Sequence, residues 1–227
     1  MKRVSLSVIV PVYNEEQTVA HILQRLVKQP LVKEVILVDD GSWDKSAKQI
    51  KKVNSKKIKY FKKENGGKGS AIRFGLEKVT KDYAMIQDAD LEYDPDDIPG
   101  LLEPIQKEKA EVVYGSRFLG PHLNLLFWHR LGNSLLNFAI NILYNTTLSD
   151  METCYKVLPT DVFKRLDLQA NSFDIEPEIT CKLLKRGVRI YEVPISYVGR
   201  THLEGKKITW EDGFEAVGTI FKLRFSS

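Results

Sequence analysis

Cysteine is scarce. The 227 residues hold two, Cys154 and Cys181, which excludes a disulfide framework, and their spacing suggests no zinc site. The default is a reducing compartment with both thiols as core packing. No run reaches the roughly 18 apolar residues of a membrane span. The nearest, 123–144, is interrupted by His129, Arg130, Asn133, Asn137 and Asn141. Met1-Lys2-Arg3 leads into an apolar run too short for a secretory h-region with a cleavage site. No G-x-G-x-x-G follows the first apolar run and no Walker sequence is present, which counts against dinucleotide and P-loop enzymes. Internal repeats and low-complexity linkers are absent. Neither charge sign dominates: 34 Lys and Arg face 30 Asp and Glu, a net charge of +4, too little to argue for a nucleic-acid partner. What remains is an ordinary globular composition, 43% hydrophobic and 28% charged, in a chain long enough to bury its own core.

The first half alternates strand and helix. Leu6–Val12 reads as a buried strand. Asn14 is expected to cap a helix to about residue 29, with Glu15 and Glu16 in its first turn. Short apolar runs at 34–38, 58–61, 83–87 and 111–115 read as further strands. Gly66-Gly67-Lys68-Gly69 opens a helix to about residue 79, and Asp94-Pro95 begins another as cap and first-turn proline. This rhythm implies an α/β fold with a mostly parallel sheet covered by helices on both faces. The second half departs from it. Residues 121–147 read as a long amphipathic helical region, Thr160 as the cap of a short helix, 176–186 as a helix and 188–193 as a strand. A last amphipathic helix spans 209–225, with Trp210, Phe214, Val217, Ile220, Phe221 and Phe225 on one side.

In open parallel sheets ligands bind outside the carboxyl ends of the strands. Here those ends carry Glu15, Asp39-Asp40 and Asp88-Ala89-Asp90. Gathered carboxylates repel unless something positive lies among them. In extended backbone Asp88 and Asp90 point to one side, so both can face one hard cation such as Mg²⁺ or Mn²⁺, and Glu92 continues the alternation as a third ligand. Gly66 to Ser70 offers amides and Lys68 to a phosphate. Asp150 and Glu152 read as a base for a hydroxyl acceptor or as groups that orient arginines. Between 185 and 207, Lys185, Arg186, Arg189, Arg200, Lys206 and Lys207 are opposed only by Glu192 and Glu204. Such a stretch predicts an anionic partner.

Pro11-Val12-Tyr13-Asn14-Glu15, Asp39-Asp40-Gly41-Ser42, Gly67-Lys68-Gly69, Asp88-Ala89-Asp90 and Gly115-Ser116-Arg117 resemble family-2 glycosyltransferases of GT-A fold. The likeness runs from about Ser5 to Phe225. Trp128-His129-Arg130 with Gly132-Asn133, the segment from Asp150 to Lys156, and Val198-Gly199-Arg200 with Gly205-Lys206-Lys207 resemble the narrower subgroup of dolichyl-phosphate mannose synthases and polyprenyl-phosphate glucosyltransferases. The resemblance implies one GT-A domain, with 1–117 as the nucleotide-sugar half and 118–227 as the acceptor and membrane-interface half. Pro11, Tyr13 and Glu15 would line the nucleotide, and Asp39 would contact its base or ribose. Asp88 and Asp90 would hold the metal on the diphosphate. Arg117, Arg130, Arg200 and Lys206 would bind the acceptor phosphate, with Asp90, Arg117 and Asp150 central to catalysis. Glu92 stands where mannose synthases of this group often carry glutamine, which leaves GDP-mannose and UDP-glucose both open as donors.

The implied reaction is inverting, metal-dependent transfer of a hexose to a dolichyl or undecaprenyl phosphate on the cytoplasmic side of a membrane. A saccharide or other hydroxyl acceptor is the alternative. Many relatives continue into transmembrane helices. Peripheral attachment, or a separate membrane-spanning partner, is therefore expected, through Leu125, Leu126, Phe127, Leu135, Leu136, Phe138, Ile142 and Leu143.

Overall fold

A computed structural model describes residues 2–123, 126–200 and 210–226. The sheet is laid down by β1 (Leu6–Val12), β2 (Val32–Asp40), β3 (Ile58–Lys63) and β4 (Tyr83–Ile86), with α1 (Val19–Lys28), α2 (Ser46–Ile50) and α3 (Lys68–Lys78) between them. A 3₁₀ turn at Pro95–Asp97 leads into α4 (Ile98–Gln106) and β5 (Val112–Ser116). The second half supplies β6 (His122–Leu123), α5 (Phe127–Tyr144), β7 (Lys156–Pro159), α6 (Thr160–Arg165) and α7 (Ile175–Lys185). It ends with β8 (Ile190–Pro194), β9 (Tyr197–Val198) and α8 (Trp210–Phe225). Seven strands pair in the order β3-β2-β1-β4-β7-β5-β8. Only β7 runs antiparallel to its neighbours.

Strands buried on both faces read as continuous apolar runs. That is the case for Val8, Ile9 and Val10 of β1 and Val35, Ile36, Leu37 and Val38 of β2, none of which reaches solvent. α1 buries Val19, Ile22, Leu23 and Leu26, the i, i+3, i+4, i+7 stripe of an amphipathic helix. α3 comes closer to the sheet because it presents small residues. A Cβ on Gly75 would lie 2.7 Å from the Ile9 side chain. A second, smaller core of Leu136, Ile140, Met151, Cys181, Ala216 and Ile220 ties α5, α7 and α8 together.

Several expected boundaries move. Asn14 does not cap α1. It sits at φ 53°, its amide donates to Ser42 Oγ, and its Oδ1 accepts from the Trp43 amide. Glu15 and Glu16 likewise donate their amides to Ser46 and Asp44. The first strand end is thus laced to the second, and the helix starts only at Val19. Thr160 makes no side-chain cap either, since its hydroxyl donates to the Lys81 carbonyl. Asp94 does cap its turn, accepting from the Asp96 amide. The 121–147 region opens with β6, which pairs with β9, and becomes helical at Phe127. The strand β7 has no sequence signature. Its four residues, Lys-Val-Leu-Pro, include a lysine that is fully buried.

Glu34 is the polar anchor of the sheet's far end. It is 2% exposed and accepts from Ser7, from Lys59, and from both the amide and hydroxyl of Thr80. Burial opposes its charge, but these donors overcome that and lower its pKa from 4.5 to about 2. A depressed carboxylate adds stability that is full above the unfolded value of 4.5 and is lost as pH falls toward about 2. Glu34→Ala strands the buried Ser7 hydroxyl and the Thr80 donors. It is expected to cost about 2–4 kcal/mol at neutral pH and to flatten the acid limb of stability. Urea unfolding of both proteins from neutral pH into the acid range measures both effects.

Candidate active site

Because β2, β1 and β4 are neighbours and parallel, their carboxyl ends open on one edge, and a cavity of about 1090 Å³ lies there. Pro11, Tyr13 and Glu15 line it from β1, Asp88, Asp90 and Glu92 from the segment after β4, and Lys68 from the start of α3. Arg117 lines it from the residue after β5, and Arg130 and Arg200 from the second half. The three arginines therefore converge on one cavity. Lys206, His202 and Leu125 lie outside the described residues.

The carboxylates are held apart by cations. Lys68 Nζ lies 2.9 Å from Asp88 and 3.3 Å from Glu176. Burial alone would lower its pKa, but these two carboxylates raise it above the ordinary lysine value. Arg200 stands 3.2 Å from Glu15 and 3.6 Å from Asp90, and its Nε donates to the Asp90 carbonyl. One guanidinium thus joins the ends of β1 and β4. Asp88 and Asp90, both half-buried in the wall, provide an all-oxygen donor pair suited to a hard divalent cation that takes its other ligands from phosphate and water. Among the described residues no group of three or more His, Cys, Asp or Glu side chains is arranged to hold a metal.

Glu92 is the reason no third ligand joins the pair. Its Oε2 accepts from the Tyr197 hydroxyl at 2.7 Å and its Oε1 from the Arg200 amide at 2.8 Å. Its backbone carbonyl accepts from Val198. Glu92 is a clamp on β9 that delivers Arg200, not a free donor. Burial, then the Glu92 charge, push the Tyr197 phenol above its ordinary value.

Asp39 does not reach the cavity. It is fully buried, accepts from the Ser42 amide and the Tyr60 hydroxyl, and holds the turn after β2. Asp40 lines the cavity instead. Adjacent residues of a strand point to opposite sides, a parity that the sequence pair Asp39-Asp40 left undecided. Asp40 is itself committed, accepting from the Gly66 and Gly67 amides and from Lys63. Those glycine amides, expected to face a phosphate, are thus occupied, and Lys68 is what the loop offers. Gly67 is required there. Its φ is 92°, and a Cβ would lie 2.3 Å from the Asn171 carbonyl oxygen.

Asp150 is fully buried and is no open base. Its Oδ2 accepts from the Arg117 amide and Nε, and its Oδ1 from Arg117 Nη2 at 2.7 Å. Burial works against the Arg117 charge, yet Asp150 raises its pKa well above the arginine value. The Asp150 loop is in turn fixed by Glu192, which accepts from the Ser149 and Asp150 amides, and by Asn137 of α5. Arg117 is sandwiched near Phe118 and Tyr197, at 5.6 and 5.4 Å to the ring centres, and Arg130 lies 5.9 Å over Phe118. The described part of the basic stretch, 185–200, is not one patch. Lys185 and Arg186 bond the carbonyls of Ser226 and Arg165, leaving Arg200 as its representative in the cavity among the described residues.

The outer wall is apolar. Leu126, Trp128 and Leu135 of the α5 region and Phe214 and Val217 of α8 line it. Trp128 is 77% exposed and Phe138 64%. The apolar residues of α8 divide: Ala216 and Ile220 turn inward, while Phe214, Phe221 and Phe225 stay exposed. No described helix is long and apolar enough to cross a membrane.

The doubly covered sheet, its acidic carboxyl edge and the inserted antiparallel strand define a GT-A fold. Superposition agrees. Glucosyl-3-phosphoglycerate synthase from Mycobacterium tuberculosis, solved with Mn²⁺, UDP-glucose and phosphoglyceric acid, aligns with a TM-score of 0.78 at 16% identity, over 97% of this chain and 80% of that one. The same protein with Mg²⁺ and UDP gives 0.74 at 18% identity, over 97% and 79%. The profile of Glycosyl transferase family 2 matches residues 7–167. The chain belongs to that family and is a glycosyltransferase. It is 29% identical over 231 residues to a dolichol-phosphate mannosyltransferase of Pyrococcus furiosus, covering 96% of this chain and 63% of that protein. It is 27% identical to the low-salt glycan biosynthesis hexosyltransferase Agl6 of Haloferax volcanii, covering 91% and 51%. An uncharacterized protein of Methanocaldococcus jannaschii is 27% identical over 95% of this chain and 89% of its own length. The chain thus spans most of that protein but about half to two thirds of the two transferases.

Glu152 also faces the cavity, and burial raises its pKa from 4.5 to about 7. A raised carboxyl pKa means the folded state keeps a proton that the unfolded state has released. Its contribution favours folding below pH 4.5 and is lost as pH climbs to about 7. Glu152→Gln is expected to remove that slope, so the wild type loses about 1–3 kcal/mol more than the variant across this range. Thermal unfolding of both proteins at pH 4.5 and pH 7 checks it.

Proposed function

We propose that the protein transfers a hexose from a nucleotide-diphospho-sugar, GDP-mannose or UDP-glucose, to a polyprenyl phosphate at a membrane surface. The carrying observation is the mixed lining of one cavity: carboxylates with Lys68 and Arg200 at the sheet edge, Arg117 and Arg130 beside Phe118, and a wall of exposed leucine, phenylalanine and tryptophan. A phosphate on a greasy tail needs that combination. The similarity to a dolichol-phosphate mannosyltransferase over nearly the whole chain supports the acceptor. The Mn²⁺, Mg²⁺ and UDP-sugar complexes of the structural relative support the donor class.

Pro11, Tyr13 and Glu15 line the nucleotide end of the cavity in this reading. Asp88 and Asp90 would hold Mg²⁺ or Mn²⁺, which when bound supplies charge neutralisation for the departing diphosphate. The acceptor phosphate is already an anion at neutral pH, its second pKa being about 6. It can attack the anomeric carbon in line without a base, inverting that centre. Arginine suits its capture because a guanidinium carries five N–H donors, so Arg117 keeps donors beyond those that Asp150 holds. Asp150 orients Arg117 rather than abstracting a proton. The exposed apolar face of α5 and α8 would rest in the headgroup boundary, with Trp128 at the interface.

A panel of labelled sugar nucleotides against undecaprenyl and dolichyl phosphates, scored by butanol extraction, tests the reaction. Label is expected to enter the organic phase only with polyprenyl phosphate and divalent cation. Label moving to a water-soluble saccharide instead supports the hydroxyl-acceptor alternative. Asp150→Asn is expected to raise the acceptor KM about tenfold or more, the loss of a charged hydrogen-bond pair, without deleting a limb of the pH–rate profile. Liposome flotation with anionic lipid at low salt is expected to carry the protein upward. A Phe138→Asp, Ile142→Asp double variant is expected to remain at the bottom.

A further inference from the structure

A chain of charges runs inward from Asp88 through Lys68. Asp88, Lys68, Glu176 and Lys156 alternate in sign: Lys68 bridges Asp88 and Glu176, and the fully buried Lys156 donates to Glu176 Oε2 and to the Thr153 carbonyl. Two lysines and two carboxylates balance. Glu152 is a third carboxyl in the same wall; Lys156 acts on its charge, but Glu152 forms no ion pair among the described residues. Its Oε1 is sealed from solvent with no hydrogen-bond partner, although Glu152 itself lines the cavity. Buried polar groups are nearly always satisfied, and a carboxyl that lines a cavity with an unpartnered oxygen can turn that oxygen toward a ligand. Burial keeps its proton to about pH 7, and a carboxylic acid can both donate and accept.

The position restricts which group that is. Lys68 links Asp88, where the diphosphate is placed above, to Glu176. The part of the donor next to the diphosphate is the sugar. Phe173, with Lys68 5.7 Å from its ring centre, adds an apolar face in the same wall. This segment is held rigidly. Glu178 accepts from the Gln169 and Ala170 amides, and a Cβ on Gly69 would lie 2.4 Å from the Ala170 carbonyl oxygen. The strand that brings in Lys156 is β7, whose reversed direction puts its first residue at the acidic edge.

We propose that Glu152 and Glu176 form the hexose-reading wall of the donor site, with the Glu152 carboxyl hydrogen-bonding a sugar hydroxyl and so setting which hexose is accepted. The inference rests on the donor assignment above. A site built to bond a hydroxyl rejects the analogue lacking it, because its buried polar group is then left unpaired.

The test is calorimetric binding of UDP, GDP, UDP-glucose, GDP-mannose and their deoxyhexose analogues with Mn²⁺, to wild type, Glu152→Ala and Glu152→Gln. The expected result is that Glu152→Ala leaves the affinity for the preferred nucleotide diphosphate within about twofold. It should weaken the matching nucleotide-sugar about tenfold or more. Glu152→Gln should recover part of the loss, and one deoxyhexose donor should bind both wild type and Glu152→Ala with similar affinity. Unchanged sugar-nucleotide binding with transfer abolished would make Glu152 a base and overturn the proposal alone. Equal weakening of diphosphate and sugar nucleotide would make Glu152 a structural residue and would likewise overturn the proposal alone. A wild type that binds no sugar nucleotide would overturn the donor assignment as well.

Discussion

Carboxylates gathered at one edge of a sheet repel one another, and here two cations stand among them. Lys68 separates Asp88 from Glu176, and Arg200 separates Glu15 from Asp90. Each is supplied by an element whose placement depends on tight packing. Lys68 rides on the first turn of α3, which approaches so closely that Gly67 and Gly69 leave no room for a side chain against 170–171. Arg200 follows β9, which Glu92 clamps through Tyr197. The acidic edge is therefore poised rather than relaxed. In the proposed reading, an incoming diphosphate with its metal would take over charges that the protein now balances by itself.

The second dependency is direction. Six strands point their carboxyl ends at the cavity, and β7 points its amino end there. A reversed strand lets the residues just before it reach the same edge that the others reach with their last residues. Asp150, Glu152 and the buried Lys156 come to the site by that route. Asp150 then spends both oxygens on Arg117, a pairing that fixes the guanidinium plane beside Phe118 and Tyr197. The apolar face of α5 and α8 adjoins these arginines, so one cavity joins a charged floor to a greasy exit.

Much of this was legible in the residues. The alternation of apolar runs with helices set out β1 to β5 and α1, α3 and α4, because strands buried on both faces announce themselves. That Asp88, Asp90 and Lys68 share one edge was readable from spacing and strand position; their use for metal and phosphate belongs to the proposal. The parity of Asp39-Asp40 was not, since a two-residue choice depends on the pleat. Glu92 looked like a ligand by alternation, yet hydrogen bonds to residues over a hundred positions away claim it. Strand β7 escaped notice because four residues cannot display a period. Glu176 and Phe173 gave no local signal at all; only the reversed strand and the clamped 169–172 segment bring them to Lys68.

Direct titration of GDP and UDP into the protein, with Mn²⁺ and then with excess chelator, probes the poised acidic edge itself. Affinity for one diphosphate should rise at least about tenfold with the ion, and that gain should vanish in Asp90→Asn while Lys68 and Arg200 remain in place. Equal affinity with and without the ion, or a gain that survives in Asp90→Asn, would contradict the assignment of this edge as the seat of a metal-held leaving group.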